Sequence, residues 1–336
     1  MVDPNRQNTV LVIGGAGYVG SVLVRRLLEA GTQVVVLDNL IYDNEESIRA
    51  LVGRPGFRFI EGSFGDRELL DSALGLANDV VLLAAMVGDP ICKEYPDLAT
   101  RTNLTWPKVL LDEMNGRGLD RFIFTSTCSN YGNLDEGTWA DEETELNPKS
   151  LYAETKVAFE DHIVQELEDV DFCPVILRVA TAFGLSPRMR FDLTISEFTR
   201  ELVLGRELLV YDENTWRPYC HVQDISSAIL SALKTPLAAV RGQVFNVGSN
   251  SENYTKKMVV GLIQQKIDAN SVRYISGGSD PRNYRVSFDK IGQVLDFAAE
   301  FEVEAAVVEL IDELSFRFRD VDERRNFYGN HLVGGG

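Results

Sequence analysis

The chain is short of positive charge. Its 336 residues carry 33 Lys and Arg against 51 Asp and Glu, a net charge of −18. A surface this acidic does not suit nucleic acid or an anionic membrane as the main partner. Cysteine is scarce too. Cys92, Cys128, Cys173 and Cys220 show no Cys-x-x-Cys spacing. That excludes a zinc framework and a disulfide scaffold, and the four read as reduced thiols of a cytoplasmic protein with no metal. Long apolar runs are missing. The longest uncharged stretch, residues 7–24, is broken by four glycines and followed by Arg25-Arg26. Neither a membrane span nor a signal segment is expected. Repeats, low-complexity tracts and linkers are also absent. What remains is 45% hydrophobic and 25% charged, the make-up of a globular protein with a sizeable core. At about 150 residues per domain the length suggests two lobes.

The apolar run over residues 9–14 ends in glycine and reads as a buried parallel strand. A helical pattern follows, with Val19, Leu23 and Leu27 on one face, until Gly31 stops it. Further strands are expected over residues 33–38, 57–60, 79–85, 121–127 and 174–181, with helices between most of them, notably 98–115 and 151–168. This alternation implies an α/β fold, a Rossmann-type doubly wound parallel sheet covered on both faces. Residues 1–181 form that domain. From about residue 182 the pattern mixes loops, short strands (207–211, 244–247) and helices (257–267, 303–316). Residues 182–329 are therefore expected to be mostly a smaller mixed α/β lobe that binds substrate. The glycine-ending tail, 330–336, is expected to fray.

Gly14, Gly17 and Gly20 sit at the turn from the first strand into the first helix. Small residues are needed where a chain turns tightly, lets a pyrophosphate approach its backbone and packs helix on strand. Asp38 follows the second strand, 18 residues past Gly20. A carboxylate there accepts hydrogen bonds from an adenosine ribose and repels a 2′-phosphate, which favours NAD over NADP. Tyr152 and Lys156 lie four residues apart at the start of a helix, hence on one face. A lysine one turn from a tyrosine can favour its phenolate, making the pair a general acid/base. Residues 121–127 read as a strand opening into a polar cluster, Thr125 to Ser129. Ligands of a doubly wound sheet sit beyond such strand ends, so Thr127 and Tyr152 should face the same site.

These residues, with Ala84-Ala85, Asn103, Thr125-Ser126-Thr127 and Tyr131-Gly132, resemble the extended short-chain dehydrogenase/reductases, in particular the nucleotide-sugar epimerase/dehydratase branch. The resemblance covers nearly the whole chain: Arg217 to Asp224, Phe245-Asn246-Val247-Gly248 and Asp280-Pro281-Arg282 also match. It implies that Tyr152 is the catalytic base, that Lys156 holds the nicotinamide ribose and lowers the tyrosine pKa, and that Thr127 bonds the hydroxyl being oxidised. Gly14, Gly17, Tyr18, Val19, Gly20, Asp38, Asn39, Ala84, Ala85 and Asn103 would hold NAD together with Tyr152 and Lys156. Thr127, Cys128, Ser129, Thr181, Arg188, Arg190, Arg217 and Arg282 would meet the nucleotide-diphosphate sugar, with Arg217 and Arg282 on its diphosphate and Arg178 a further candidate. A bidentate guanidinium suits phosphate, and an acidic protein needs local arginines to bind an anion. His221 reads as structural. Helices 98–115 and 151–168 would pair in a homodimer, although Val109, Leu110, Met114, Val157, Phe159 and Ile163 equally suit the chain's own core.

Departures from the family pattern narrow the chemistry. Ile13 stands where the family usually has Thr. Ser63 replaces an Asp that often contacts adenine, and Asp66 is the nearest alternative. Cys128-Ser129 stands where 4,6-dehydratases carry Asp-Glu, the groups that move the proton and water at C5 and C6. Thr181 replaces a substrate-phosphate Asn of UDP-sugar 4-epimerases. Residues 84–93 and 178–190 are similar to enzymes acting on GDP-linked sugars, including GDP-heptose 4-dehydrogenases. The expectation is an NAD-dependent epimerase that oxidises the sugar, at C4, and re-reduces it. The alternatives are a 4-dehydrogenase or ketoreductase, then a dehydratase or a non-catalytic NAD-binding regulator.

Overall fold

The computed structural model describes residues 8–268, 271–278, 280, 282–322 and 326–330. Pro281 and residues 331–336 of the expected tail lie outside the described residues. Seven parallel strands form the central sheet. Their order is Val244–Val247, Cys173–Val179, Arg121–Thr127, Asp79–Leu82, Thr9–Ile13, Gln33–Asp38 and Phe57–Glu61. Most of these strands are apolar on both faces because helices cover both. Val10, Val12, Val34, Val36, Val81, Ile123 and Val175 pack into one core layer. Their alternates, Leu11, Ile13, Val35, Leu37, Val80, Phe122 and Ile176, pack into the other.

The strand order reverses at Thr9–Ile13, which has Gln33–Asp38 on one side and Asp79–Leu82 on the other. A crevice opens beyond the carboxyl ends of strands at such a switch point. The Asp79–Leu82 strand is shorter than the expected 79–85 for this reason. The Leu83 and Ala84 amides both donate to the Ile13 carbonyl at 2.9 Å, and the chain then leaves the sheet along the crevice.

Three sequence expectations are corrected. Strand 174–181 is two strands. Cys173–Val179 stays in the main sheet, while Thr181–Phe183 crosses over to pair with Tyr219–His221. Strand Val244–Val247 does not belong to a smaller lobe, since it forms the edge of the main sheet beside Cys173–Val179. The sheet therefore extends past residue 181. Helix 98–115 is broken: Pro96–Thr100, a π-helical turn Arg101–Thr105, and Trp106–Met114 follow one another. Pro107 has no N–H to donate back to residue 103, and the wider turn absorbs the lost bond.

The remaining residues build a third core around Phe183, Phe198, Leu202, Val259, Val307 and Leu310. Its helices include Thr194–Val203, Lys256–Gln264 and Val303–Phe316. Asn330, expected to fray, is buried. Its side chain accepts from Arg188 Nη2 at 2.8 Å and donates to the Val87 carbonyl at 2.9 Å. Leu110, Met114, Phe159 and Ile163 lie in the chain's own core, while Val109 and Val157 are partly exposed and Val164 is exposed.

Candidate active site

A cleft of about 850 Å³ opens at the switch point. The glycine turn forms one end. Gly14 takes φ +88°, and a Cβ there would lie 2.6 Å from the Ala84 nitrogen. At Gly20 a Cβ would lie 2.3 Å from the Gly14 carbonyl oxygen. Both glycines are required by the fold. Gly17 differs, because a Cβ there meets only the Gly14 oxygen, at 3.3 Å, and Gly17 lines the cleft. The missing methyl is room for a ligand to approach the backbone at the start of helix Gly20–Glu29. Tyr18, Val19 and Asn39 line the same end, and the Tyr18 hydroxyl donates to the Gly184 carbonyl at 2.6 Å.

Asp38 also lines the cleft, buried at the end of its strand. Its two oxygens accept from the Ala16 and Leu40 amides, each at 2.9 Å. Burial raises its pKa, against these backbone bonds and the Arg188 charge. The Asn44 side chain also bonds this carboxylate, and since a carboxylate offers about four acceptor positions, one remains for a ribose hydroxyl. Ala84 and Ala85 line the cleft next to Gly14. Asn103 does not reach the cleft wall. Its amide clamps Met86, accepting from the backbone N–H at 2.8 Å and donating to the carbonyl at 3.0 Å, so it shapes the wall from behind. Ser63 lines the cleft, whereas Asp66 caps helix Arg67–Leu74 through the Glu68 and Leu69 amides and offers no replacement acid.

Thr127, Ser129, Tyr152, Lys156 and Thr181 meet in the middle of the cleft. Thr127 ends the Arg121–Thr127 strand, and its Oγ1 accepts from the Ser129 amide at 3.1 Å. Ser150 caps helix Leu151–Gln165, which sets Tyr152 and Lys156 in its first turns. Lys156 Nζ donates to the Thr125 carbonyl at 2.8 Å. Burial lowers this lysine to about 7, against the opposing charge of Glu160. Tyr152 is raised above its ordinary value by burial, then by Cys92 and Asp89, while Arg190 and a bond to Thr127 oppose the shift.

The arginines separate. Arg217 and Arg282 line the far end and share Asp280. Burial works to raise the Asp280 carboxyl, but its bonds to the two guanidiniums outweigh that and hold it well below the usual range. Arg282 also pairs with Asp89 at 2.9 Å and donates to Ser129 Oγ at 3.3 Å. Arg190 lines the cleft and forks onto Asp192 at 3.0 and 2.5 Å. Arg188 lines it as well, over the Tyr42 ring. Arg178 is corrected: it forks onto buried Glu160 at 2.9 and 2.7 Å, beneath the site. Cys128 is corrected too. Its thiol turns into the core and donates to the Arg178 carbonyl at 3.1 Å, so it cannot touch a ligand in the cleft. His221 caps helix Val222–Lys234, stacks on Phe301 and is pushed down to about 4 by burial, as suits a structural residue.

The sequence reading missed Asp280 as the shared partner, Asp192, and Glu197, whose carboxyl is pushed up to about 7 by burial and by Glu201 and Asp192. No local pattern marks Glu197. Asp192, before the helix Thr194–Val203 that carries Glu197, acts on it through its charge. Among the described residues no cluster of His, Cys, Asp and Glu could hold a metal, and no helix is long and apolar enough to cross a membrane.

Comparison with known proteins agrees with this geometry. The chain is 32% identical to the low-salt glycan biosynthesis protein Agl12 of Haloferax volcanii, over 72% of this chain and 77% of the relative. It is 31% identical to the dTDP-glucose 4,6-dehydratase of Streptomyces niveus, over 72% and 73%. The crystal structure of UDP-glucose 4-epimerase from Thermus thermophilus in complex with NAD superposes with a TM-score of 0.79 at 26% identity, covering 92% of this chain and 99% of that one. The family model of the NAD dependent epimerase/dehydratase family matches residues 10–248. The cradle, the Tyr152–Lys156 pair and these likenesses agree: the chain is an NAD-dependent enzyme of the epimerase/dehydratase family.

Proposed function

We propose that the protein is a nucleotide-sugar epimerase that works through oxidation at C4 to a keto sugar and re-reduction. One observation carries the reading. Thr127, Tyr152 and Lys156 share a single cleft between the glycine cradle and the Arg217–Arg282 pair. NAD, when bound, supplies the hydride acceptor and donor, and a positive charge that favours the Tyr152 phenolate.

The chain's own residues do the rest. Thr127 and Tyr152 bond the C4 hydroxyl, and Tyr152 takes its proton as the C–H bond breaks. Arg190 favours the phenolate in that step. Lys156, fixed by the Thr125 carbonyl, bonds the cofactor ribose. Arg217 and Arg282 hold the substrate diphosphate, with Asp280 setting their spacing. Anchoring there leaves the sugar free to turn, so the ketone can present either face and Tyr152 can return the proton. Dehydration needs an acid and a base at C5 and C6. The two positions after Thr127 hold a core-facing thiol and Ser129, which supports epimerisation over water loss. We further propose a homodimer through the helix pair Trp106–Met114 and Leu151–Gln165. Light scattering tests it, and a strictly monomeric mass at micromolar concentration would reject it.

The purified protein, mixed with GDP-, UDP-, CDP- and dTDP-sugars, is followed by NMR of the anomeric protons and by nicotinamide absorbance. A new isomer without NADH accumulation is expected. NADH accumulating with a ketone would instead identify a 4-dehydrogenase.

A further inference from the structure

Arg188 is a buried cation without an anion. It is 2% exposed, and among the described residues no carboxylate lies within ion-pair distance of it. Among the described residues its side-chain hydrogen bonds all leave from Nη2, to the Asn326 and Gly329 carbonyls at 3.0 and 3.2 Å and to Asn330 Oδ1 at 2.8 Å. Its Nε is buried and unpaired. The Tyr42 hydroxyl and Asn44 Oδ1 are also buried and unpaired, and all three residues line the cleft. An unpaired buried guanidinium N–H is costly unless a ligand completes it. Burial, helped by Arg190, pushes Arg188 down to about 10, and Asp38 opposes this.

The surroundings say which end of the cleft Arg188 serves. The groups whose charges bear on it are Arg190, Tyr42, Asp192 and Asp38, the last at the end of the strand beside the glycine turn. Arg188 lies over the Tyr42 ring, four residues past the end of the Asp38 strand. Arg190 already pairs with Asp192 at 2.5 Å. Arg188 is thus a cation of the cleft that, among the described residues, has no carboxylate partner.

The segment that fixes Arg188 reaches the cleft at Asn330. Asn330 joins Arg188 to the carbonyl of Val87, which also lines the cleft. Asn326 donates to Asp43 Oδ2 at 3.3 Å, beside Tyr42, and the Phe191 amide donates to the Tyr328 carbonyl at 2.8 Å. We propose that Arg188 clamps the pyrophosphate of NAD, and that residues Asn326–Asn330 are a strap that holds the clamp and slows release of the cofactor. The inference rests on NAD being the cofactor. Arg188 is thereby moved from the substrate to the cofactor, and Asn330 is a positioning residue.

The test is calorimetric binding of NAD, ADP-ribose, adenosine, UDP and GDP to the wild type, Arg188→Met and Asn330→Ala, with NAD release followed by displacement. Arg188→Met is expected to weaken NAD and ADP-ribose roughly ten- to hundredfold, the range for a hydrogen bond to a charged group, with adenosine and the nucleoside diphosphates unchanged. Asn330→Ala keeps the guanidinium but frees it. It should weaken NAD several-fold and speed its release, again without touching UDP or GDP. Weakened diphosphate binding with ADP-ribose intact would return Arg188 to the substrate and overturn the proposal. Unchanged NAD affinity and release in Asn330→Ala would overturn the strap, whether or not Arg188→Met folds. A wild type that bound neither NAD nor ADP-ribose would overturn the cofactor assignment, and this inference with it.

Discussion

Lys156 lies one helical turn beyond Tyr152, with its Nζ 5.9 Å from the centre of the tyrosine ring and 2.8 Å from the Thr125 carbonyl oxygen. The pair is therefore locked to the strand that carries Thr127, and hydroxyl and phenol keep their register. Tyr152→Phe removes only the proton carrier. It should cost roughly 10²–10⁴ in kcat, the usual worth of a general base, while NAD binding survives. Steady-state kinetics with a cofactor titration check both parts. Sugar-dependent turnover left intact would remove Tyr152 from the mechanism.

Burial sets the sign of a pH effect at Lys156. Its folded pKa is lowered to about 7, from an unfolded value near 10.4. Between those values the unfolded chain binds more protons than the folded one, so this group makes stability rise with pH from about 7 to about 10. Below pH 7 its penalty is present in full and constant. Lys156→Met should flatten that part of the stability curve. Thermal unfolding of both proteins across the range, without added NAD, shows whether the slopes differ.

The glycines of the cradle should separate by readout. Gly20→Ala drives a methyl into the Gly14 carbonyl at 2.3 Å and should lower thermal stability outright. Gly17→Ala meets only a 3.3 Å neighbour. It should leave the melting temperature within a few degrees yet weaken NAD binding at least tenfold, because its methyl occupies the ligand's space. Equal stability losses in the two variants would mean that Gly17 is structural as well.

Glu160 and Arg178 form a buried pair under the site, with Asn130 bonding Glu160 at 2.8 Å and Ser126 also donating to it. Glu160→Ala strands the Arg178 charge. A loss of about 3–5 kcal/mol is expected, as for other buried pairs with one partner removed. Urea unfolding measures it. A loss under about 1 kcal/mol would mean that water reaches Arg178 readily.

Much of this was legible in the sequence because it is local. Strands Gln33–Asp38 and Arg121–Thr127 and helix Val303–Phe316 stand where their apolar patterns put them. The glycine turn and the Tyr152–Lys156 pair are set by spacing within one turn. Partnerships across the chain were not legible. Arg178 looked like a phosphate ligand, but its partner Glu160 comes from another element 18 residues away, and no pattern in one strand announces it. Cys128 follows Thr127, and alternation along the chain turns its side chain to the core as Thr127 faces the cleft. Val244–Val247 reads as a short strand in any lobe, and only its pairing with Cys173–Val179 places it in the main sheet. Asn330 opens the run 330–336 that reads as a frayed tail. Arg188 holds it from 142 residues away.

The most direct measurement uses the nucleotide sugar that the protein turns over, carrying deuterium at C4. With Tyr152 and NAD acting at that carbon, the label should leave and return within one active site. Both isomers should then keep deuterium at C4, with a primary isotope effect on turnover and no uptake of solvent hydrogen on the ring. Deuterium retained with no isotope effect, or solvent hydrogen appearing at C3 or C5, would contradict oxidation at C4 as the reaction that Thr127, Tyr152 and Lys156 are arranged to perform.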